Sequence, residues 1–419
     1  MEDQQQQQQK PSYDPHFTDR VIAATGPGAH PRLARIMPSL VRHLHAFARE
    51  VELTVDEWMA GVEMINEAGR MSDDARNETG LLCDVLGLES LVDEITSKQQ
   101  QLQQQQQQRL QTSPSSPSPG FSSTATSTST TTIARRSPTP SAILGPFYQA
   151  NAPLRALGSS ILQELMESLS EVPPQPPQQP PSYVQQLRQS CLPLLALIQG
   201  CVRSAATGHP VTAGATLEVW QSAPNGLYAQ QLDPEAQVEG SLLRGRFVTT
   251  STSSAAEMTY PPGHYAFVCL KPTPYPIPDD GPAGRLLRLL DRHPFRPGHV
   301  HFVVSAPGYR TLTTQLFDRD DPYIRAESEA GDGAAGDAGD AVFAVKEELL
   351  VEFRPLGEDG DGEDEDGDGD GDGDGDGDGD GDGDGDVGKH KKTMMKGKKQ
   401  KQMYRPRYEV EFDFSLVEL

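Results

Sequence analysis

The chain has 419 residues, among them 39 glycines and 35 prolines, and carries a formal net charge of −24. Seventeen of its acidic residues lie between Glu358 and Asp386 with no base among them, so most of the acidity belongs to one Gly-Asp tract. The balance argues against nucleic acid as a partner, because the only basic excess is the short Lys389–Lys401 run. A membrane span is also excluded, since no apolar stretch approaches the ~20 residues needed to cross a bilayer.

Met1-Glu2-Asp3 followed by glutamines lacks the apolar region of an export signal. Cys83, Cys191, Cys201 and Cys269 have no paired spacing, so reduced thiols and a cytoplasmic location are expected. Residues 12–97 then read as helical. Leu33, Ile36, Leu40, Leu44 and Phe47 recur at three- and four-residue spacing, as one helix stripe. Thr54 and Glu57 form a T-x-x-E capping box that opens a second helix with Trp58, Val62 and Ile65, ending near Gly69. A third helical stretch runs from about Asp73, with Leu81, Leu82, Val85, Leu86, Leu91, Val92 and Ile95 as its apolar positions.

Residues 98–137 are rich in Gln and then in Ser, Thr and Pro, a composition that buries too little apolar surface to offset chain entropy, so a disordered linker is expected. Residues 138–419 read as β, with low-complexity insertions at about 163–193, 326–339 and 356–402. Ala215–Trp220, Gly245–Val248, Tyr265–Cys269, His299–Val304 and Tyr408–Phe414 are short runs of β-branched and aromatic residues punctuated by Pro, Gly and Asn. Many short strands without intervening helices predict a mainly β domain, an antiparallel β-sandwich, behind an α-helical N-terminal domain.

Two His-x-His pairs carry the chemical interest. Residues i and i+2 diverge on a helix but share a face on a strand. His43 and His45 lie in the helical stripe and read as helix-face residues, whereas His299 and His301 lie in a strand and can aim at one ion. The bland alternative for the second pair is two surface histidines. No CxxC and no suitably spaced carboxylate completes a zinc or a two-His-one-carboxylate ferrous site. Tyrosines are available instead. Tyr275 sits in the proline-locked segment Lys271–Pro278, and Tyr228 follows a strand and a turn. A phenol suits divalent metals poorly, but a hard trivalent ion can displace its proton, so tyrosinate with imidazole points to Fe(III).

The stretches GPFY (Gly145 to Tyr148), WQ…NGLY (Trp220 to Tyr228), YPIPDDGPAGRLL (Tyr275 to Leu287) and RHPFRPGHVHFVVSAPGYRTLTTQLFD (Arg292 to Asp318) resemble the intradiol ring-cleavage dioxygenases, in the catechol, chlorocatechol and hydroxyquinol 1,2-dioxygenase branch. The helical region resembles that branch's N-terminal dimerisation region through Thr54-x-x-Glu57-Trp58 and Leu81-Leu82-x-Asp84-x-Leu86-Gly87.

This resemblance implies a mononuclear non-haem Fe(III) held by Tyr228, Tyr275, His299 and His301, a catechol-type diol and O2 as substrates, and a homodimer joined by the N-terminal helices. It implies that Tyr228 is the ligand displaced by substrate and that Arg296 stabilises negative charge on the ring. Gln315 would hydrogen-bond beside the metal, and Leu81, Asp84, Ile143, Leu144, Gly145 and Pro146 would line the substrate pocket. The expected product is a cis,cis-muconate-type dicarboxylate. A hydroxyquinol enzyme giving maleylacetate and a chlorocatechol enzyme are the alternatives, and a non-catalytic interaction scaffold is the alternative of another class. Gly298 departs from the family's usual Ala, Val300 from Ile or Leu, and the Tyr228–Tyr275 spacing is longer than usual. The Gly-Asp tract lacks the period of a calcium-binding β-roll and reads as a self-repelling loop between terminal strands.

Overall fold

The helix-starting residues near the N-terminus act as expected. The His30 side chain accepts from Arg32 N, and Pro31 fills the first position of a long helix. Thr54 and Glu57 exchange reciprocal bonds, with Thr54 N donating to Glu57 Oε2 at 2.9 Å and Glu57 N to Thr54 Oγ1 at 3.3 Å. The computed structural model describes residues 14–74, 76–111, 136–167, 183–232, 242–251, 260–330, 339–356 and 405–419. They divide into two units between Glu67 and Ala68.

The first unit holds α1 (Phe17–Ala23), α2 (Pro31–Glu50) and α3 (Val55–Met71) as far as Glu67. His45 ties α1 to α2, since its ring stacks on Phe17 at 5.4 Å and its Nδ1 lies 3.1 Å from Thr18 Oγ1. The α2 stripe of Leu33, Ile36, Leu40, Leu44 and Phe47 is exposed in the single chain.

In the second unit, α4 (Glu78–Val85) is followed by α5 (Leu88–Gln111), which continues past the boundary expected at Ser97. Its apolar first half nucleates a helix that glutamines, which lose little side-chain freedom in a helix, then prolong. The stretch expected to be an insertion at 163–193 likewise begins and ends in structure. α6 (Gln163–Glu167) and α7 (Tyr183–Cys191) bury Leu165, Leu187 and Cys191 in the main core, and the proline run between them lies outside the described residues. These few apolar anchors, diluted by Pro and Gln, do not show in a composition window.

The strands follow as β1 (Leu195–Ser204), β2 (Thr216–Trp220), β3 (Arg244–Val248), β4 (His264–Leu270) and β5 (Tyr275–Pro276). After α8 (Pro282–Leu289) come β6 (Phe295–Arg296), β7 (His299–Ser305), β8 (Leu312–Asp318) and α9 (Pro322–Ala330), which occupies the start of the insertion expected at 326–339. β9 (Leu350–Val351), β10 (Arg354–Pro355), β11 (Tyr408–Glu411) and β12 (Phe414–Leu416) close the chain.

One sheet runs β10-β11-β1-β12, with β4 also on β1, and the other runs β3-β2-β7-β8-β9. They share a core in which Ile198, Val202 and Phe267 from the first meet Leu217, Val219, Phe302 and Leu316 from the second. The expectation of purely antiparallel sheets is corrected, because β11 and β12 run parallel to β1, and β9 runs parallel to β8. Parallel pairing needs a long connection, and the whole catalytic sequence separates β1 from its C-terminal partners. The ends of the tract expected as an insertion at 356–402 meet across β10 and β11, where Leu356 N donates to Arg407 O at 2.8 Å. The Gly-Asp and Lys-rich runs lie outside the described residues. No described helix is long and apolar enough to cross a membrane.

Candidate metal centre

Alternation along β7 builds the site. Val300, Phe302 and Val304 point into the inter-sheet core, so His299 and His301 project together from the opposite face. Strand register supplies their neighbours. His301 pairs with Trp220 on β2 and with Gln315 on β8. Tyr228 follows the turn after β2, which Gly226 makes possible. Gly226 has φ +83°, and a Cβ there would lie 2.8 Å from Tyr275 Cβ. Tyr275 itself pairs with Arg296 across the short β5–β6 ribbon.

Four side chains thereby converge. Tyr228 Oη lies 2.8 Å from Tyr275 Oη and 2.9 Å from His301 Nε2, and His301 Nε2 lies 3.1 Å from His299 Nε2. All four are between 2 and 4 % exposed. Burial holds both imidazoles neutral well below the ordinary histidine range, and the Arg296 charge adds to the effect. Burial likewise raises both phenols, for Tyr228 well above the usual tyrosine range. The His299 ring is oriented by its Nδ1, which donates to Pro297 O at 2.8 Å and leaves the Nε2 lone pair facing the cluster. Trp220 stacks flat on His301, with centroids 4.6 Å apart and planes 10° from parallel.

The donor set fits a hard trivalent ion. Among the described residues no three His, Cys, Asp or Glu gather at one point, so a zinc or carboxylate-type ferrous set has no counterpart here. Two neutral imidazole nitrogens and two phenolic oxygens, closed off from water, are the ligands such an ion can use once it displaces the phenolic protons.

Arg296 and Gln315 lie beside the four donors. Arg296 Nη1 lies 3.1 Å from His299 Nε2, and its Nη2 donates to Gln315 Oε1 at 3.1 Å. The Gln315 amide in turn donates to Ile143 O at 2.8 Å and lies 3.3 Å from His301 Nδ1. Of the expected pocket residues, Gly145, at φ +79°, runs so close to the centre that a Cβ would lie 3.4 Å from His301 Cε1. Leu144 packs with Phe147, Trp220, Tyr228 and Tyr275, Pro146 is half-buried, and Ile143 belongs to the main core. Leu81 packs against Ile277 and Leu287. Asp84 is buried with its Oδ1 unpartnered, and its pKa is pushed up to about 9, first by burial and then by Glu89. The chain-order reading overlooked Trp220, Glu89, whose Oε1 accepts from Leu144 N at 3.2 Å, and Asp340, which pairs with Arg296. Register could have flagged Trp220, but only after the strands were aligned.

Comparison with known proteins shows the family. Residues 30–104 match the family described as the catechol dioxygenase N terminus, and residues 190–354 the family described as dioxygenase. The chain is 37% identical over 337 residues to a catechol 1,2-dioxygenase of Candida albicans, covering 80% of this chain and 83% of the relative. It is 33% identical over 340 residues to a hydroxyquinol 1,2-dioxygenase of Rhizobium sp., covering 80% and 84%. The hydroxyquinol 1,2-dioxygenase structure from Pseudomonas putida DLL-E4 superposes with a TM-score of 0.57 at 28% identity, covering 96% of this chain and 97% of that one. A catechol 1,2-dioxygenase from Acinetobacter sp. ADP1 shares the fold, with a TM-score of 0.56 at 21% identity over 96% and 91%. Enzymes of this family use ferric iron. The chain belongs to the intradiol ring-cleavage dioxygenase family, in its catechol and hydroxyquinol 1,2-dioxygenase branch.

Proposed function

We propose that the protein cleaves a catechol-type diol between its two hydroxyl-bearing carbons, inserting both atoms of O2 to give a cis,cis-muconate-type dicarboxylate, with Tyr228, Tyr275, His299 and His301 holding one Fe(III). The observation that carries this reading is the convergence of those four donors, buried and within 2.8–3.1 Å of one another. Bound there, ferric iron supplies Lewis acidity to the diol and to oxygen.

The chain's own groups do the rest. The Nδ1 bond to Pro297 O commits His299 Nε2 to the centre, and the Trp220 stack fixes the plane of His301. With an ion bound, Tyr228 Oη would be one of its phenolate ligands and could accept one of the two diol protons. Arg296 presents a preorganised cation to negative charge developing on the ring. Leu144, Phe147 and Trp220 wall the centre from water. A second copy would cover the exposed α2 stripe, giving the homodimer.

A second reading is favoured by one group. A buried carboxyl with an unpartnered oxygen, Asp84, suits a ring bearing a further hydroxyl, as hydroxyquinol does. One such hydrogen bond is worth about 1–3 kcal/mol, or roughly 5- to 150-fold in preference. Oxygen uptake by the iron-loaded protein with catechol, 4-chlorocatechol and hydroxyquinol, with identification of the ring-opened acid, tests both readings. Muconate from catechol supports the first, and maleylacetate from hydroxyquinol at higher kcat/KM selects the second. A colourless protein that consumes no oxygen with any diol, and whose Tyr275→Phe variant behaves identically, is a scaffold and refutes both.

A further inference from the structure

We propose that Asp340 is the positioning residue that makes Arg296 usable in the reaction, an inference that rests on the reading of Arg296 just given. The two side chains form a bidentate pair in which Arg296 Nε donates to Asp340 Oδ1 at 3.0 Å and Nη2 donates to Oδ2 at 3.1 Å. Their side chains are 3 % and 1 % exposed. The carboxylate is fully occupied. Its Oδ1 also accepts from Val342 N at 3.2 Å and its Oδ2 from Ala344 N at 3.1 Å, so four donors meet about four lone-pair sites. Asp340 therefore has no capacity left to act as a base.

The donors of Arg296 are apportioned in the same way. Nε is taken by Asp340, and Nη2 by Asp340 and Gln315. Nη1, 3.1 Å from His299 Nε2, is the one nitrogen that faces the cluster. A further hydrogen bond joins Arg296 to Tyr275. Once the lone pair of His299 is committed to a metal, the Nη1 hydrogen that faces it is released for negative charge on the substrate ring. A buried guanidinium without a counter-charge is costly and free to rotate away. Asp340 thus supplies both the counter-charge and the orientation, bracing the fork from the side away from the chemistry.

The test is a double-mutant cycle on the iron-loaded full chain, using Asp340→Asn and Arg296→Gln. Asp340→Asn should lower kcat by about a hundredfold, the scale of losing one preorganised charge-stabilising donor. Iron per chain and the anaerobic affinity for catechol, read from the visible band, should stay within about threefold of wild type, because the interaction is made in the transition state. With Arg296→Gln already present, adding Asp340→Asn should cost less than about threefold.

An Asp340 that only braces the Val342–Ala344 turn would lower kcat by the same factor in both backgrounds, and that result overturns the proposal. Should Asp340→Asn not accumulate as folded protein, Asp340→Glu keeps the charge but displaces the fork by one methylene. It should cost about tenfold or more in kcat with iron retained, and a wild-type kcat overturns the proposal. A wild-type chain inactive on every diol refutes the reading of the site and this inference with it. An active wild type with additive losses refutes this inference alone.

Discussion

Replacing Gly298 by alanine should harm the protein. Gly298 has no left-handed backbone that only glycine could adopt, so the constraint is space. A Cβ there would lie 2.7 Å from Pro272 C, 2.8 Å from Thr273 N and 2.9 Å from Pro272 O, all of them backbone atoms. Gly298 cannot retreat either, because its N–H donates to Asp321 Oδ2 at 2.7 Å and its carbonyl accepts from Asp318 N at 3.2 Å. Relief must come from the 272–275 segment, which carries Tyr275. Overpacking of this kind costs about 1–3 kcal/mol. At about 2 cal/mol/K per residue of unfolding entropy, that is roughly a 2–5 °C fall in Tm for a unit this size. Any outward shift of Tyr275 also spoils its approach to Tyr228, and misplacement by about 1 Å costs about a hundredfold in rate. Thermal melts and oxygen-uptake kinetics on Gly298→Ala and wild type check both effects. A Tm unchanged within about a degree and an unchanged kcat would refute the argument.

Tyr275→Phe removes one of the two phenolates and should weaken and shift the visible tyrosinate-to-iron band or strip the iron, which absorption and metal analysis would show together. Asp84→Leu should erase any preference for hydroxyquinol over catechol, lowering the ratio of their kcat/KM values by roughly 5- to 150-fold. Deleting Glu358–Lys401 should leave turnover intact and stabilise the fold by up to about 2 kcal/mol, since the connection between Leu356 and Arg407 shortens through about three halvings. A denaturant melt with loss of iron would contradict it. Asp413 is held below the usual carboxylate range: burial opposes its ionisation, but hydrogen bonds from Arg203 and Cys201 N prevail. A depressed folded value means that its contribution is present above the unfolded carboxylate range and lost as pH falls through the folded one. The stability gap between wild type and Asp413→Asn should therefore close on acidification below about pH 4, and a gap independent of pH would refute that account.

What could be read from the sequence was whatever depends on local period. The Thr54–Glu57 box and the shared face of His299 and His301 follow from helix and strand geometry alone. Tyr228 and Tyr275 stood out because turn and proline residues fix their surroundings. Contacts that depend on register were hidden, so Gln315 opposite His301 came from resemblance, and Trp220 on the other side read only as the end of a strand and the start of a motif. Asp340 was harder still, because it sits beside a Gly-Ala-Asp stretch that composition marks as filler. Composition misled in the same way at Leu165, Leu187 and Cys191, which are core residues embedded in sequence that looks unfoldable. The parallel return of β11 and β12 to β1 lies beyond any local pattern.

That return has a consequence for how the protein is made. β1 ends at Ser204, and its flanking partners begin only at Tyr408 and Phe414. At ribosomal speeds of about 5–20 residues per second, the intervening chain takes roughly 10–40 s to synthesise. Once β4 has been made, β1 has that strand on one side and an unpaired row of backbone groups on the other, the sort of edge that recruits foreign strands. The acidic tract is translated within this same window, just before the strands that close the edge, and its self-repulsion would help keep neighbouring nascent chains apart. The first sheet therefore closes only once residues 408–416 have been made, and its yield should depend on chaperone supply more than the stability of the finished enzyme would suggest.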